Sequence, residues 1–207
     1  MKILITGIGG FVGRHLVAEC LASGHELFGY DRVTAGPDER PVPREIGDLC
    51  DGTTVRRAVA AFRPEACVHL AGMASVPACA RNPEEAFRIN VEGSLQFLRA
   101  FHAENLDTRF LFVSTSHVYG RGEGCLAETS PVKPDSLYAL SKWCAEQAVL
   151  MTAREFGRPA LVVRPVNHIG PGQARDYVVA SFAAQLAEIA RGESPPVLRV
   201  GNLDSKR

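Results

Sequence analysis

The chain opens with an unbroken apolar run, Ile3-Leu4-Ile5, inside KILIT. A run this short and this apolar predicts a strand buried on both faces. Glycines follow, and the period then changes. Val12, Leu16, Val17, Cys20 and Leu21 recur at helical spacing until Gly24 stops the pattern. HELFGYD (25–31) predicts a second strand. Residues 33–47, with three prolines and mixed charges, predict a loop entering a short strand before Asp48. DGTTVRRAVAAF (51–62) predicts a helix with a polar start, and ACVHLAG (66–72) a strand ending at Gly72. A long helix over 83–104 opens at Pro83, a residue suited to a first helical turn. RFLFVSTS (109–116) predicts a strand, 135–157 a second long helix, PALVVRP (159–165) a strand, DYVVASFAAQLAEIARG (176–192) a helix and PPVLRVG (195–201) a last strand.

Strand–helix alternation of this kind predicts an α/β protein with a doubly wound parallel sheet, helices covering both faces. The sequence stops in GNLDSKR, just past the last predicted strand, with no closing helix. The expectation is that a small C-terminal lobe is incomplete here.

Composition narrows the class. A length of 207 residues suits one domain with a small appendage. The 23 basic and 23 acidic residues balance, which argues against a nucleic-acid or membrane-surface protein. No apolar run is long enough to cross a bilayer, and the N-terminus lacks the parts of a signal peptide. Six scattered cysteines with no CxxC pair predict reduced, small hydrophobes, with no disulfide framework and no metal site. The expected location is cytoplasmic.

The glycines Gly7-x-x-Gly10-x-x-Gly13 lie after a strand and open a helix, the context a dinucleotide-binding turn requires. Gly7 would allow the turn, Gly10 the approach of a pyrophosphate, and Gly13 close packing of helix on strand. Alone, the pattern is matched as well by a turn that binds nothing. Asp31, at the end of the second strand, is suited to accept from ribose hydroxyls. Its charge opposes a 2′-phosphate and favours NAD over NADP. Arg32 follows, partly offsets that charge, and keeps NADP possible. Asp48 could accept from an adenine amino group; taken alone it reads as a helix N-terminal carboxylate.

Tyr138 and Lys142 stand at i,i+4 spacing and share one helix face. An ammonium beside a phenol favours the phenolate, which makes Tyr138 a usable general acid or base. Ser114, Thr115 and Ser116 fall at the carboxyl end of a parallel strand, the usual binding crevice. One or two of these hydroxyls are expected to satisfy turn amides instead. His117 reads as a polar neighbour with no catalytic role, His69 as a satisfied core histidine, and Trp143 as helix packing.

Together, TGIGGFVG (6–13), Asp31, GDL (47–49), HLAG (69–72), NPEEAFRINVEGSLQFL (82–98), STSHVYG (114–120), YALSK (138–142) and RPVNHIGPGQ (164–173) carry a resemblance. The sequence resembles the extended short-chain dehydrogenase/reductase family of nucleotide-sugar epimerases, dehydratases and reductases, from residue 2 to the end. The resemblance implies a Rossmann domain over 1–165 and the start of a sugar-nucleotide-binding lobe over 166–207. It implies Thr115, Tyr138 and Lys142 as the catalytic trio. NAD(P) would lie along Gly7, Gly10, Phe11, Val12, Gly13, Asp31, Arg32, Asp48, Leu49, Leu70, Ala71, Gly72, Asn90, Ser114, Tyr138, Lys142 and Pro165. Ser116, Asn167, Val178 and Arg207 would face the nucleotide-sugar substrate. A homodimer through the helices at 83–104 and 135–157 is also implied.

In this family the 4,6-dehydratases look like STDEVYG at the fifth strand. Here Ser116 and His117 replace the Asp-Glu pair, so elimination of water loses its acid and its base. The remaining trio suffices for hydride transfer with one proton. The tail is similar to the GDP-4-keto-6-deoxy-mannose reductases, which implies NAD(P)-dependent reduction of a C4 ketone. A sugar 4-epimerase and a non-catalytic dinucleotide-binding protein stay open as alternatives.

Overall fold

A computed structural model of the chain describes residues 1–36, 40–121 and 125–201. It divides into two compact units, residues 1–166 and the residues from Asn167 onward.

The first unit is built on six strands: β1 (Lys2–Thr6), β2 (Glu26–Asp31), β3 (Arg44–Ile46), β4 (Ala66–His69), β5 (Arg109–Val113) and β6 (Ala160–Val163). They are all parallel, in the order β3-β2-β1-β4-β5-β6. The chain winds outward from β1 in one direction, returns, and winds outward from β4 in the other. The switch point therefore lies between β1 and β4, and ligands of such sheets bind outside the carboxyl ends there.

Burial follows the strand alternation. Leu4, Tyr30, Cys67, Phe110 and Phe112 point to one face, where they pack against α2 (Gly52–Phe62), α5 (Gly93–Ala103) and α6 (Leu137–Glu155). Ile3, Ile5 and Leu27 point to the other and meet Val17 of α1 (Phe11–Ala22). Asp51 caps α2 through the Thr53 amide at 3.0 Å, and Ser136 caps α6 through the Ala139 amide at 3.2 Å. Each such cap is worth about 1 kcal/mol.

Three features depart from the sequence expectation. The predicted strand over 195–201 does not form among the described residues. Pro195 and Pro196 carry no N–H, and Gln185 takes both backbone groups of Arg199, at 2.8 and 3.1 Å, that a ladder would need. A short helix, α3 (Val76–Arg81), was not expected, although Ser75 as its cap and Pro77 in its first turn both signal one. The long helix over 83–104 is helical throughout but not uniform. It runs as α4 (Pro83–Phe87), one π-turn (Arg88–Glu92) and α5.

The second unit holds α7 (Val178–Ala190), in which no residue is buried, with an Arg175–Glu188 ion pair at 2.8 Å.

Candidate active site

The glycine turn is tightly built. Gly7 has φ +68°, and a Cβ there would lie 3.0 Å from the backbone of Ala71 at the end of β4. A Cβ on Gly13 would lie 2.5 Å from the carbonyl oxygens of both Gly7 and Ile8. The first is a conformation that side chains avoid, and the second is helix–strand contact with no room for a methyl group. Gly10 occupies the cap position of α1 without a side-chain bond, and the first turn of the helix carries no acidic residue. Its orphan amides and the positive end of its dipole suit an anion. Phe11 and Val12 are half-buried in that first turn.

Asp31 reaches back to this loop. Its carboxylate accepts from the Gly9 amide at 2.8 Å and from its neighbour Arg32 at 2.7 Å. Asp48 accepts from the Cys50 amide at 2.9 Å and from Arg88 at 3.3 Å, and the amide bond above all holds its carboxyl below the usual range. It forms a local turn, while Asp51 does the helix capping. Leu49 is 5% exposed in the core and packs on Gly93.

The end of β4 is held by a directional chain of hydrogen bonds. The Ala71 amide donates to Thr6 Oγ1 (3.1 Å), which lies 2.9 Å from His69 Nδ1. On the far side His69 Nε2 lies 2.9 Å from Ser94 Oγ, whose one proton goes to the Asn90 carbonyl at 2.6 Å. Ser94 must therefore accept from His69, which fixes the neutral Nε2–H tautomer. Burial pushes the His69 pKa down to about 3, with the Lys142 charge adding to it. His69 is thus a satisfied core histidine.

Asn90 lies in the π-turn, 1% exposed. Its side chain takes the Met73 amide (2.8 Å) and carbonyl (3.2 Å) and donates to Ser141 at 2.9 Å. It clamps the Gly72–Met73 segment, beside Leu70 and Ala71, against α6. π-turns recur at functional sites because they re-aim one residue in this way.

At the end of β5, Thr115 caps a single 3₁₀ turn (Ser116–Tyr119) by accepting from the His117 amide at 3.2 Å. The Ser116 amide donates to the Pro165 carbonyl at 2.9 Å, which ties this turn to the end of β6. Ser114 Oγ is buried with no partner among the described residues. Of the three hydroxyls, one serves the turn, as expected, and one is unmet. Helix α6 lies against this end. The Lys142 Nζ stands 4.2 Å from the centre of the Phe112 ring, and the Tyr138 ring meets His117 edge-on at 5.8 Å. Lys142 is buried, and desolvation pushes its pKa down to about 8 against the opposing pull of Glu146. Glu146 is itself engaged by Arg164, whose Nε donates at 3.0 Å. Arg164 also bonds the Tyr119 hydroxyl at 2.7 Å and lies 5.5 Å from the Trp143 ring.

The unit thus brings together Gly7, Gly10, Gly13, Asp31, Ala71, Ser114, Thr115, Tyr138 and Lys142 along the carboxyl ends of β1, β2, β4 and β5. Asn167 and Val178 are exposed in the second unit, and Arg207 lies outside the described residues. Sequence reasoning passed over Glu146, although Tyr138, Lys142 and Glu146 repeat at intervals of four, and it gave His117 no role.

Residues 3–207 match the model of the NAD dependent epimerase/dehydratase family. The chain belongs to that family. Members similar to it include the GDP-6-deoxy-D-mannose reductase of Pseudomonas aeruginosa, 36% identical across the whole chain, of which the chain spans 65%. Among solved structures, RMD from Pseudomonas aeruginosa complexed with NADPH matches 98% of this chain and 65% of its own length. That match has a TM-score of 0.84 at 33% identity. The UDP-glucose 4-epimerase of Thermus thermophilus, in complex with NAD, matches 93% of this chain and 63% of its own (TM-score 0.83, 32% identity). No helix among the described residues is long and apolar enough to cross a membrane.

Proposed function

We propose that the protein reduces the C4 ketone of a nucleotide-activated 4-keto-6-deoxy sugar, GDP-4-keto-6-deoxy-mannose being the favoured substrate. The observation that carries this reading is one face of α6 laid on the carboxyl end of β5. It presents Tyr138 and Lys142 beside Thr115, with Ser116 and His117 where an acid pair would be needed for elimination.

The residues present fit a nicotinamide dinucleotide. The crowded turn at Gly7 and Gly13, the uncapped start of α1 and the partnerless Ser114 hydroxyl all support it. When bound, that cofactor supplies the hydride. The α1 amides would hold its pyrophosphate, Asp31 its adenosine ribose, and Ser114 and Lys142 its nicotinamide end. The Asp31 charge favours NAD over NADP. Tyr138 gives its proton to the developing C4 alkoxide, Thr115 donates to the same oxygen, and Lys142 lowers the cost of the phenolate. Ser116, in the turn after β5, and Asn167, Val178 and Arg207, in the segment that begins near residue 166, are each proposed as contacts of the sugar nucleotide. Exposed apolar side chains on α6, among them Leu140 and Met151, support a homodimer through the long helices. The free cysteines, two of them buried, support a reducing, cytoplasmic location.

The test is incubation with NADH or NADPH and GDP-4-keto-6-deoxy-mannose, with product stereochemistry read by NMR. Stoichiometric loss of reduced cofactor is expected. Tyr138→Phe should lower kcat by about 10²–10⁴-fold. Full activity of that variant would overturn the reading. The likeness to a UDP-glucose 4-epimerase supports a second reading, 4-epimerisation, which turnover without net cofactor loss would establish.

A further inference from the structure

Tyr138 is held at its backbone and at its ring. Its backbone is fixed by α6, whose start is capped by Ser136 just before the tyrosine. The ring itself meets a residue from another element, the imidazole of His117. Their centroids are 5.8 Å apart and their planes inclined at 75°. This is edge-to-face geometry, an arrangement that paired rings prefer to a face-to-face sandwich. His117 cannot drift, because its amide is bonded to Thr115 Oγ1 at 3.2 Å and its carbonyl accepts from Gly120 at 3.0 Å. The imidazole therefore sits on a turn pinned to the end of β5, next to Thr115.

We propose that His117 is a positioning residue for Tyr138. Its ring limits the swing of the phenol about the Cα–Cβ bond, so that the hydroxyl stays aligned with the oxygen that Thr115 also addresses. The proposal rests on the reading of Tyr138 as proton donor. A phenol free to swing about Cα–Cβ still reaches the oxygen, but for a smaller fraction of the time. Misplacement by about 1 Å costs up to ~10²-fold in rate, so a partial loss of alignment should cost roughly 10-fold.

Three variants separate the outcomes. His117→Ala removes the ring, with His117→Gln in its place if the alanine protein does not fold. His117→Phe keeps a ring edge but cannot ionise. In protein labelled with ¹³C-tyrosine and without substrate, the Tyr138 ring signal is assigned by its loss in Tyr138→Phe. Three-bond couplings from the backbone to ring carbon Cγ should report one Tyr138 χ1 rotamer in wild type and His117→Phe, and averaging among rotamers in His117→Ala. With substrate, His117→Ala should lose about 10-fold in kcat with KM for cofactor unchanged. His117→Phe should recover to within about 2-fold, with an unaltered pH profile. A single, unaveraged Tyr138 χ1 rotamer in His117→Ala overturns the proposal. So does a phenylalanine variant as slow as the alanine one or with a displaced pH profile, since the imidazole would then be doing proton chemistry itself. Absence of turnover by wild type would sink the proposed reaction, while the NMR comparison would still decide whether His117 orders the phenol.

Discussion

Replacing Lys142 by methionine keeps the length of the side chain and removes its charge. Burial pushes the ammonium from the ordinary lysine value of 10.5 to about 8. At about 1.4 kcal/mol per pK unit, the folded chain carries roughly 3 kcal/mol against the charged lysine at neutral pH. Losing the contact with the Phe112 ring returns about 0.5–2 kcal/mol of that. Lys142→Met should therefore stabilise the cofactor-free protein by about 1–3 kcal/mol at pH 7 while abolishing turnover. The sign with pH is fixed. Below pH 8 both folded and unfolded lysine are protonated and the cost is complete. Between 8 and 10.5 the unfolded chain holds a proton that the folded chain has released, so wild-type stability rises across that window. Urea unfolding of both proteins at pH 7 and pH 10 measures this. The variant's advantage should shrink at the higher pH. A variant less stable than wild type at pH 7, or an advantage unchanged with pH, would refute the reasoning.

Two further perturbations probe the frame around the site. Gly13→Ala forces a methyl group against two backbone carbonyls that cannot rotate away, and should cost about 1–3 kcal/mol together with NADH binding. Thermal unfolding and fluorescence titration read both effects; normal binding would show that α1 can slide on β1. His69, neutral in the fold with a pKa of about 3, ties acid stability to one residue. Below pH 6.5 the unfolded chain binds a proton that the folded one refuses, so stability should fall steadily from about pH 6.5 toward 4. His69→Gln should flatten that slope. An identical slope in the variant would mean that other groups govern acid unfolding.

Periodicity and punctuation carried most of the fold into view. Each of β1, β2, β4, β5 and β6 lies within a largely apolar run bounded by glycine, proline or charge, the pattern that a parallel sheet imposes, whereas β3 (Arg44–Ile46) is mostly charged. The 195–201 stretch has the same apolar content and still fails as a strand. Its backbone groups are taken by a glutamine, a partner that no local pattern announces. The site was legible where chemistry and spacing coincide, as at Gly7, Gly13 and the Tyr138–Lys142 pair. It was opaque where a residue's role depends on what crosses it from elsewhere. Asn90 lies on a helix in the sequence, yet the π-turn swings it onto Met73 and Ser141. His117 is a loop histidine until α6 brings a tyrosine to its ring.

The electrostatics of α6 explain why its two buried charges behave differently. Glu146 and Lys142 are one turn apart, near enough to pair, but Glu146 is taken by both nitrogen arms of Arg164. A carboxylate gripped in this bidentate way has little left for a neighbour, and its partner gains in turn, which is the strong form of a buried pair. Lys142 is left with the face of Phe112 and a weakened hold on its proton. The Ser114 hydroxyl, at the same strand end, has no partner among the described residues. A core under selection for stability alone would replace both with apolar groups at a gain of a few kcal/mol. The large aromatic layer beneath them, Phe97, Phe101, Phe110 and Phe112, is what lets the fold tolerate that cost. An unmet hydroxyl and an ammonium held against a ring face, at one strand end, are also what a ligand's hydroxyls would satisfy, so free energy withheld from folding there becomes available to binding.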